Sequence, residues 1–209
     1  MFITFEGPEG SGKTSQIKAA AEFLRQAGYS VVTTREPGGT AIGDQIRTVL
    51  MNLENTSLHP RAEILLFLAA RAQHVEELIR PQTKAGQVVL CDRFSDSTLA
   101  YQGYGHDYDL GLLRRLLDFS TNGLWPDLTL LLDVDPAVGL ARKRSSSEWT
   151  RMDALTLAFH QRVRTGFLEL AQSEPQRWTV LDASRPLDQV QADIRAAVLA
   201  RLRASKAER

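Results

Sequence analysis

The stretch from Gly7 to Thr14, GPEGSGKT, limits what this chain can become more than any other. It fits G-x-x-x-x-G-K-[ST], the phosphate-binding P-loop, with Gly7, Gly12, Lys13 and Thr14 at the fixed positions. Glycines let the backbone curl into a nest whose N–H groups converge on phosphate oxygens, and the helix that follows adds the positive end of its dipole. Pro8, Glu9, Gly10 and Ser11 fill the variable positions of that nest. Lys13 is then the group that can reach the β- and γ-phosphates of a nucleotide, and the Thr14 hydroxyl can hold Mg²⁺. The motif needs a strand before it and a helix after it. Phe2 to Phe5 is an apolar run of strand length and Ser15 to Ala27 has helical periodicity, so both are in place.

A chain of 209 residues, 43% apolar and 24% charged, is expected to fold as one globular domain over residues 1–209. Lys plus Arg and Asp plus Glu each number 25, so no net field draws the protein to nucleic acid or an anionic membrane, and any anion site has to be local. Cys91 is the single cysteine, which excludes an internal disulfide, and none of the four histidines stands with it at a zinc-ligand spacing. Met1 leads directly into the first strand, leaving no room for a signal peptide, and no apolar run approaches the roughly 18 residues of a membrane span. A cytoplasmic protein is expected.

Past the first helix, strand and helix patterns alternate. Strands are expected at Tyr29 to Thr34, Gln87 to Cys91, Asp127 to Val134 and Trp178 to Leu181. Helices are expected at Ala41 to Met51, Pro60 to Lys84 with a bend or end at Pro81, Ser95 to Gln102, Tyr108 to Ser120, Pro136 to Lys143, Arg151 to Ala171 and Leu187 to Arg203, with a frayed end from Arg201. This alternation implies the three-layer α/β fold of P-loop NTPases, a five-stranded parallel sheet flanked by helices on both faces. Ligands in such sheets sit at the carboxyl ends of the strands. There the chain offers, besides the P-loop, Arg35-Glu36-Pro37, Asp92-Arg93-Phe94, Asp133 to Asp135 and Asp182-Ala183-Ser184. Asp92 suits Mg²⁺ or its waters, and the Arg93 guanidinium can fork onto a phosphate. Phe67 and Arg71, four apart on one helix face, are spaced to stack a planar base and donate to its carbonyl. Ser97 and Tyr101 repeat that spacing on the helix after Asp92, and Gln102 follows.

Taken together, these segments resemble the bacterial thymidylate kinase family. FEGPEGSGKT, TREPGGT, AEILLFLAARAQH, DRFSDSTLAYQG, WPDLTLLLDVDPAVGLAR and a short region around Arg151 carry the resemblance, from Phe2 to about Leu202. It implies transfer of the ATP γ-phosphoryl group to the 5′-phosphate of dTMP, giving dTDP, by a homodimer; no nucleic-acid or membrane partner is expected, on the charge balance above. It further implies that Arg93 and Arg35 face the acceptor monophosphate, Arg35 from a loop shared with Glu36 in which the following proline is commonly cis, and that Glu9 approaches the sugar 3′-hydroxyl. Phe67, Arg71, Ser97 and Gln102 would bind the thymine, and Tyr101 would lie beneath the sugar where a 2′-hydroxyl collides.

The segment from Arg142 to Arg151 resembles the family's mobile lid, and its basic cluster suits a loop that is cationic when closed. One lid type in the family carries its catalytic arginine in the P-loop and the other in the lid. No arginine stands in this P-loop, so Arg142, Arg144 and Arg151 are the candidates. The family usually shows D-R-[IF]-E after the lid, whereas this chain has Thr150-Arg151-Met152-Asp153, which deprives Arg151 of its usual acidic neighbour. Two other readings stay open on residue chemistry: a P-loop kinase with another acceptor, such as dUMP or a nucleoside, and a GTP-dependent switch. Against the switch, the chain has neither N-K-x-D nor D-x-x-G, and arginines after successive strands make a second anion site that a pure binder does not need.

Overall fold

The computed structural model describes residues 1–144 and 149–207. Among them β1 (Phe2–Glu6), β2 (Val31–Arg35), β3 (Val88–Asp92), β4 (Leu128–Asp133) and β5 (Trp178–Asp182) form a parallel sheet in the order β2-β3-β1-β4-β5. The register sets Asp92 opposite both Phe5 and Arg35, and Asp133 opposite Asp182, so the carboxyl ends of the strands form one rim. Alternate residues of each strand point to opposite faces. Ile3, Phe5, Leu90, Leu130 and Leu132 pack against α1 (Lys13–Gln26) and α9 (Leu187–Ala207), through Ala21 and Leu24 of α1 and Ile194 and Val198 of α9. On the other face Phe2, Val89 and Cys91 pack with Val75, Ile79 and Phe94, and Leu131 packs with Val163 and Phe167 of α8 (Leu157–Ser173). Covering both faces is what makes the strands continuously apolar, and each fully buried Leu or Phe contributes roughly 1.5–3 kcal/mol.

Side-chain caps set four of the helix starts among the described residues. Thr40 Oγ1 accepts from Gly43 N at the start of α2 (Ala41–Met51), and His59 Nδ1 accepts from Arg61 N at the start of α3 (Pro60–His74). Asp109 does the same for α6 (Leu110–Thr121), and Thr156 for α8. The Thr156 cap explains why α8 begins at Leu157 and not at Arg151: residues 151–154 form turns tied by Thr150 N and Oγ1 donating to Asp153 Oδ2. Pro81 does not end its helix. The chain passes through a π-helical turn, Val75–Ile79, and continues as α4 (Arg80–Lys84), the looser hydrogen bonding falling just where Pro81 lacks an N–H. The helix expected over Ser95 to Gln102 is α5 (Ser95–Thr98) followed by a second π-helical turn, Leu99–Gly105. At the carboxyl terminus the structure replaces a frayed end with helix through Ala207: Leu202 is buried and Arg201 donates to the Gln176 carbonyl. Residues 145–148 of the expected lid, and 208–209, lie outside the described residues.

One backbone crossing joins the P-loop to α7 (Pro136–Arg144). A Cβ built on Gly139 would lie 2.1 Å from the Glu9 carbonyl oxygen, and one on Gly10 would lie 1.9 Å from the Gly139 oxygen. Neither position has room for a methyl group. Gly139→Ala is therefore expected to cost about 2 kcal/mol in urea denaturation, whereas Gly111→Ala, exposed on α6 with ordinary contacts, stays within about 0.5 kcal/mol. Equal stabilities for the two variants would refute the close crossing.

Candidate active site

The rim of the sheet opens into a single cleft of ≈ 1150 Å³ that takes in the P-loop, the β2 loop, α3, the segment after β3 and both ends of the expected lid. At its floor Gly7, Gly10 and Gly12 adopt positive φ, the conformation a nest requires, and α1 starts from Gly12 with no side-chain cap. Its free N–H groups are thus left for an anion, unlike those of the capped helices. Lys13 Nζ donates to the carbonyls of Gly7 and Pro8 at 3.0 Å each and to Ser11 Oγ at 3.2 Å. Burial, reinforced by Arg93, pushes its ammonium down to about 8. At the edge of the loop Thr14 Oγ1 donates to Asp92 Oδ2 at 3.0 Å. A hydroxyl and a carboxylate as the hard oxygen donors, with the remaining positions left to phosphate and water, is the set that suits Mg²⁺.

Arg93 occupies the centre of the cleft. Its backbone is left-handed, φ 68°, which is unusual for a residue with a side chain. Its guanidinium donates to the Gly7 carbonyl and Ser97 Oγ through Nη1, and to Glu9 Oε1 (2.8 Å) and the Tyr101 hydroxyl (3.1 Å) through Nη2. Burial opposes its charge, yet Glu9, Tyr101 and Glu6 outweigh burial and hold it protonated. Tyr101 also donates to Glu9 Oε1 at 2.9 Å. Burial pushes the Glu9 carboxyl up, but Arg93, Lys13 and the Tyr101 hydroxyl together bring it down to about 2.

Towards α3, Arg71 is almost wholly buried and donates through Nε to Glu36 Oε2 (2.7 Å), through Nη1 to Thr98 Oγ1 and through Nη2 to the Phe94 carbonyl. Two of its five N–H donors remain. Phe67, half-buried one turn earlier, lines the same wall. Gln102 and Ser97 line the cleft too, and Arg35 reaches it from the exposed end of β2. The Glu36–Pro37 bond is cis. Glu36 lines the cleft, and both its oxygens hold neighbours in place, one accepting from Arg71 and the other paired with His74 Nδ1 at 3.0 Å.

The lid arginines separate. Arg142 lines the cleft and donates to the Ala183 carbonyl at 3.2 Å, and Arg144 lies over the Trp149 ring at 5.7 Å. Arg151 does not line the cleft: its Nη2 donates to Glu63 Oε2 at 2.6 Å and its Nε to the Leu50 carbonyl. Asp133, on the rim, is taken up by a bidentate pair with Arg164 at 2.7 and 2.8 Å.

Sequence reasoning placed Glu6 at the rim without a role, and missed Glu63 and His74. Glu6 is fully buried and accepts from Phe94 N at 2.7 Å and Ser97 Oγ at 2.6 Å, which pins the start of α5 beneath Arg93. Burial and the neighbouring Asp96 push its carboxyl up to about 8. The signal for Glu63 and His74 was available in the helical spacing, because Glu63, Phe67, Arg71 and His74 recur every three or four residues along α3.

A phosphate nest, a second cationic centre facing it and an apolar, hydrogen-bonding wall beyond define a P-loop phosphotransferase that acts on a nucleotide. Comparison with known proteins narrows the class: the family model described as Thymidylate kinase matches residues 5–194, and the chain belongs to that family. A thymidylate kinase from Thermomicrobium roseum is 56% identical over 186 residues, 88% of each chain. One from Deinococcus radiodurans is 50% identical over 198 residues, 95% of this chain and 96% of its own. The crystal structure of thymidylate kinase from Ehrlichia chaffeensis superposes with a TM-score of 0.79 at 35% identity, covering 95% of this chain and 98% of that one. No helix among the described residues is long and apolar enough to cross a membrane.

The Glu9 carboxyl gives this geometry a pH signature. Its folded value of about 2 lies below the free value of 4.5, so the carboxylate stabilises the fold above pH 4.5 and that contribution is lost as pH falls towards 2. Glu9→Gln should be less stable than the wild type by roughly 3 kcal/mol at pH 7, and the gap should shrink by about half at pH 3. Urea titrations at the two pH values decide it; a gap that does not change with pH contradicts the assignment.

Proposed function

We infer that the protein catalyses ATP-dependent phosphorylation of dTMP to dTDP, a step of dTTP biosynthesis. One observation carries the reading: in a member of the thymidylate kinase family, the P-loop and the Arg93 cluster lie in one cleft, within hydrogen-bond reach of each other through Gly7. The nest and Lys13 would hold the ATP phosphates, Lys13 exchanging its loop carbonyls for phosphate oxygens. Arg93 and Arg35 would aim the acceptor phosphate. An oxygen of that phosphate attacks the γ-phosphorus in line, the bond to the β–γ bridging oxygen breaks, and ADP leaves with the electron pair. Catalysis is then positioning and charge neutralisation without a covalent intermediate.

Thr14 and Asp92 would hold Mg²⁺, whose contribution when bound is to neutralise phosphate charge. Phe67 and Arg71 would receive the thymine with Ser97 and Gln102, Glu9 would approach the 3′-hydroxyl, and the Tyr101 ring would exclude a 2′-hydroxyl. Of the lid arginines we favour Arg142 as the group nearest the transferred phosphoryl, because it lines the cleft. A lid over 142–151 would close on ATP and exclude water. We also propose a homodimer in the cytoplasm: Leu65 on α3 and Phe119 on the adjoining α6 are 60% and 88% exposed, large apolar side chains that a second copy would cover, and the unpaired Cys91 suits a reducing compartment.

ADP release from Mg²⁺-ATP, measured with each common nucleoside monophosphate in turn, tests the function. Stimulation by dTMP well above all others is expected, with dUMP weaker and ribonucleotides nearly silent, and Lys13→Met should lose at least about 100-fold in turnover while keeping its melting temperature. Turnover indifferent to the acceptor would overturn the reading. Leu65→Asp should shift the sedimentation coefficient to that of a monomer; an unchanged value would discard this face as the dimer contact.

A further inference from the structure

Glu63 is a buried carboxylate that the reaction as described does not use. It stands one turn before Phe67 on the cleft-facing side of α3 and is 3% exposed. Its Oε2 accepts from Arg151 at 2.6 Å and its Oε1 from Gln102 Nε2 at 2.8 Å, with His106 Nε2 4.0 Å from the same oxygen. A carboxylate beside a guanidinium accepts on both oxygens. The Gln102 side chain therefore has one allowed orientation: its NH₂ faces Glu63 and its carbonyl faces away. Gln102 is itself 2% exposed, lies in the π-helical turn Leu99–Gly105 and lines the cleft, and its amide oxygen accepts no hydrogen bond from the described residues. An amide that could otherwise present either a donor or an acceptor to a base has been fixed as an acceptor. In the same cleft, the two unused N–H groups of Arg71 are donors only.

We propose that Glu63 is a positioning residue that sets base specificity by fixing the amide of Gln102, with Arg151 holding Glu63 in place. An amide carbonyl accepts from the N3–H of thymine, whereas N3 of cytosine is itself an acceptor and would meet it lone pair to lone pair. The neighbouring exocyclic groups differ in the same sense. Thymine O4 accepts from Arg71, and the cytosine amino group cannot. Discrimination at N3 depends on the amide being unable to turn over, and the side chain that prevents it is Glu63. Mismatched hydrogen bonds in buried sites are a strong source of selectivity, since each leaves a polar group unpaired. The inference rests on the reading above that Gln102 and Arg71 meet the base.

The experiment compares kcat/KM for dTMP and dCMP in the wild type, Glu63→Gln and Glu63→Asp, using the inhibition constant of dCMP where its turnover is too slow to fit. Glu63→Gln puts an amide beside Gln102 that can donate or accept, so the lock is released at nearly constant volume. Glu63→Asp keeps the charge for Arg151 but withdraws the carboxylate by one methylene. The ratio of dTMP to dCMP efficiency is expected to fall at least about tenfold in Glu63→Gln and by a smaller factor in Glu63→Asp, with the KM for dTMP rising and the KM for ATP unchanged. A purely structural ion pair would lower activity on both acceptors alike and leave the ratio where it was, which overturns the role of Glu63. Should Glu63→Gln fail to fold, the ratio in Glu63→Asp alone decides in the same way. Absence of dTMP-stimulated turnover in the wild type would instead overturn the functional reading on which the inference rests.

Discussion

A guanidinium or ammonium removed from water has to be compensated, and around this cleft it is compensated before any ligand arrives. Desolvating such an ion costs several kcal/mol even after relaxation. The fold answers with resident partners: Glu9 for Arg93, Glu36 for Arg71 and, just outside the cleft, Glu63 for Arg151, each at 2.6–2.8 Å. Lys13 is the exception in kind, since carbonyl oxygens and a serine hydroxyl surround it instead of a carboxylate. That difference matters chemically. Neutral acceptors can be exchanged for a phosphate without leaving a buried anion behind, whereas Glu9 and Arg93 have to adjust together when an acceptor phosphate enters.

The same constraint distinguishes anchors from contacts. Glu36 spends both oxygens inside the protein, on Arg71 and His74, and His74 passes the connection to Thr34 Oγ1 at 2.7 Å on β2. Through this chain the β2 loop, α3 and α5 are held at fixed distance, and Arg71 is left with two donors in a defined direction. Preorganisation of this kind removes the ordering cost from the binding step. Glu6 does comparable work under Arg93, holding Phe94 N and Ser97 Oγ from the end of β1.

The fold and the phosphate nest were legible in the sequence because short-range chemistry determines them: apolar runs of strand length, helical periodicity and glycines at fixed spacing. That the residues after β1 and β3 meet at one rim was legible too, because ligands of a parallel sheet gather at its carboxyl ends, whereas the roles given to Glu9, Ser97, Tyr101 and Gln102 came from the family resemblance. Arg151 was not, because its position depends on where α8 begins. The Thr150–Asp153 turn and the Thr156 cap delay that helix by six residues, and the guanidinium then meets Glu63 on α3, a contact across 88 positions of chain. The two π-helical turns were invisible too, since periodicity reads a helix but not a local slip in its hydrogen bonding. Glu63 stands on the same helical face as Phe67 and Arg71, but its partners Gln102 and Arg151 come from segments 39 and 88 positions away, which helical spacing does not reveal.

Glu9 ties the donor side and the acceptor side to the start of α7, the helix that leads into the proposed lid. Its carbonyl lies against Gly139 at a distance no side chain tolerates, and its carboxylate lies on Arg93 and Tyr101. Interiors this tightly packed do not deform smoothly. A closing segment attached to α7 therefore cannot move as one body with the start of that helix, since the crossing at Gly10 and Gly139 would have to open. Motion in the proposed sense has to begin beyond Gly139, in the stretch that carries Arg142, while the nest and Arg93 stay in register. A fixed floor beneath a moving cation is what in-line transfer needs, because the donor and acceptor oxygens must keep their alignment while the charge above them arrives.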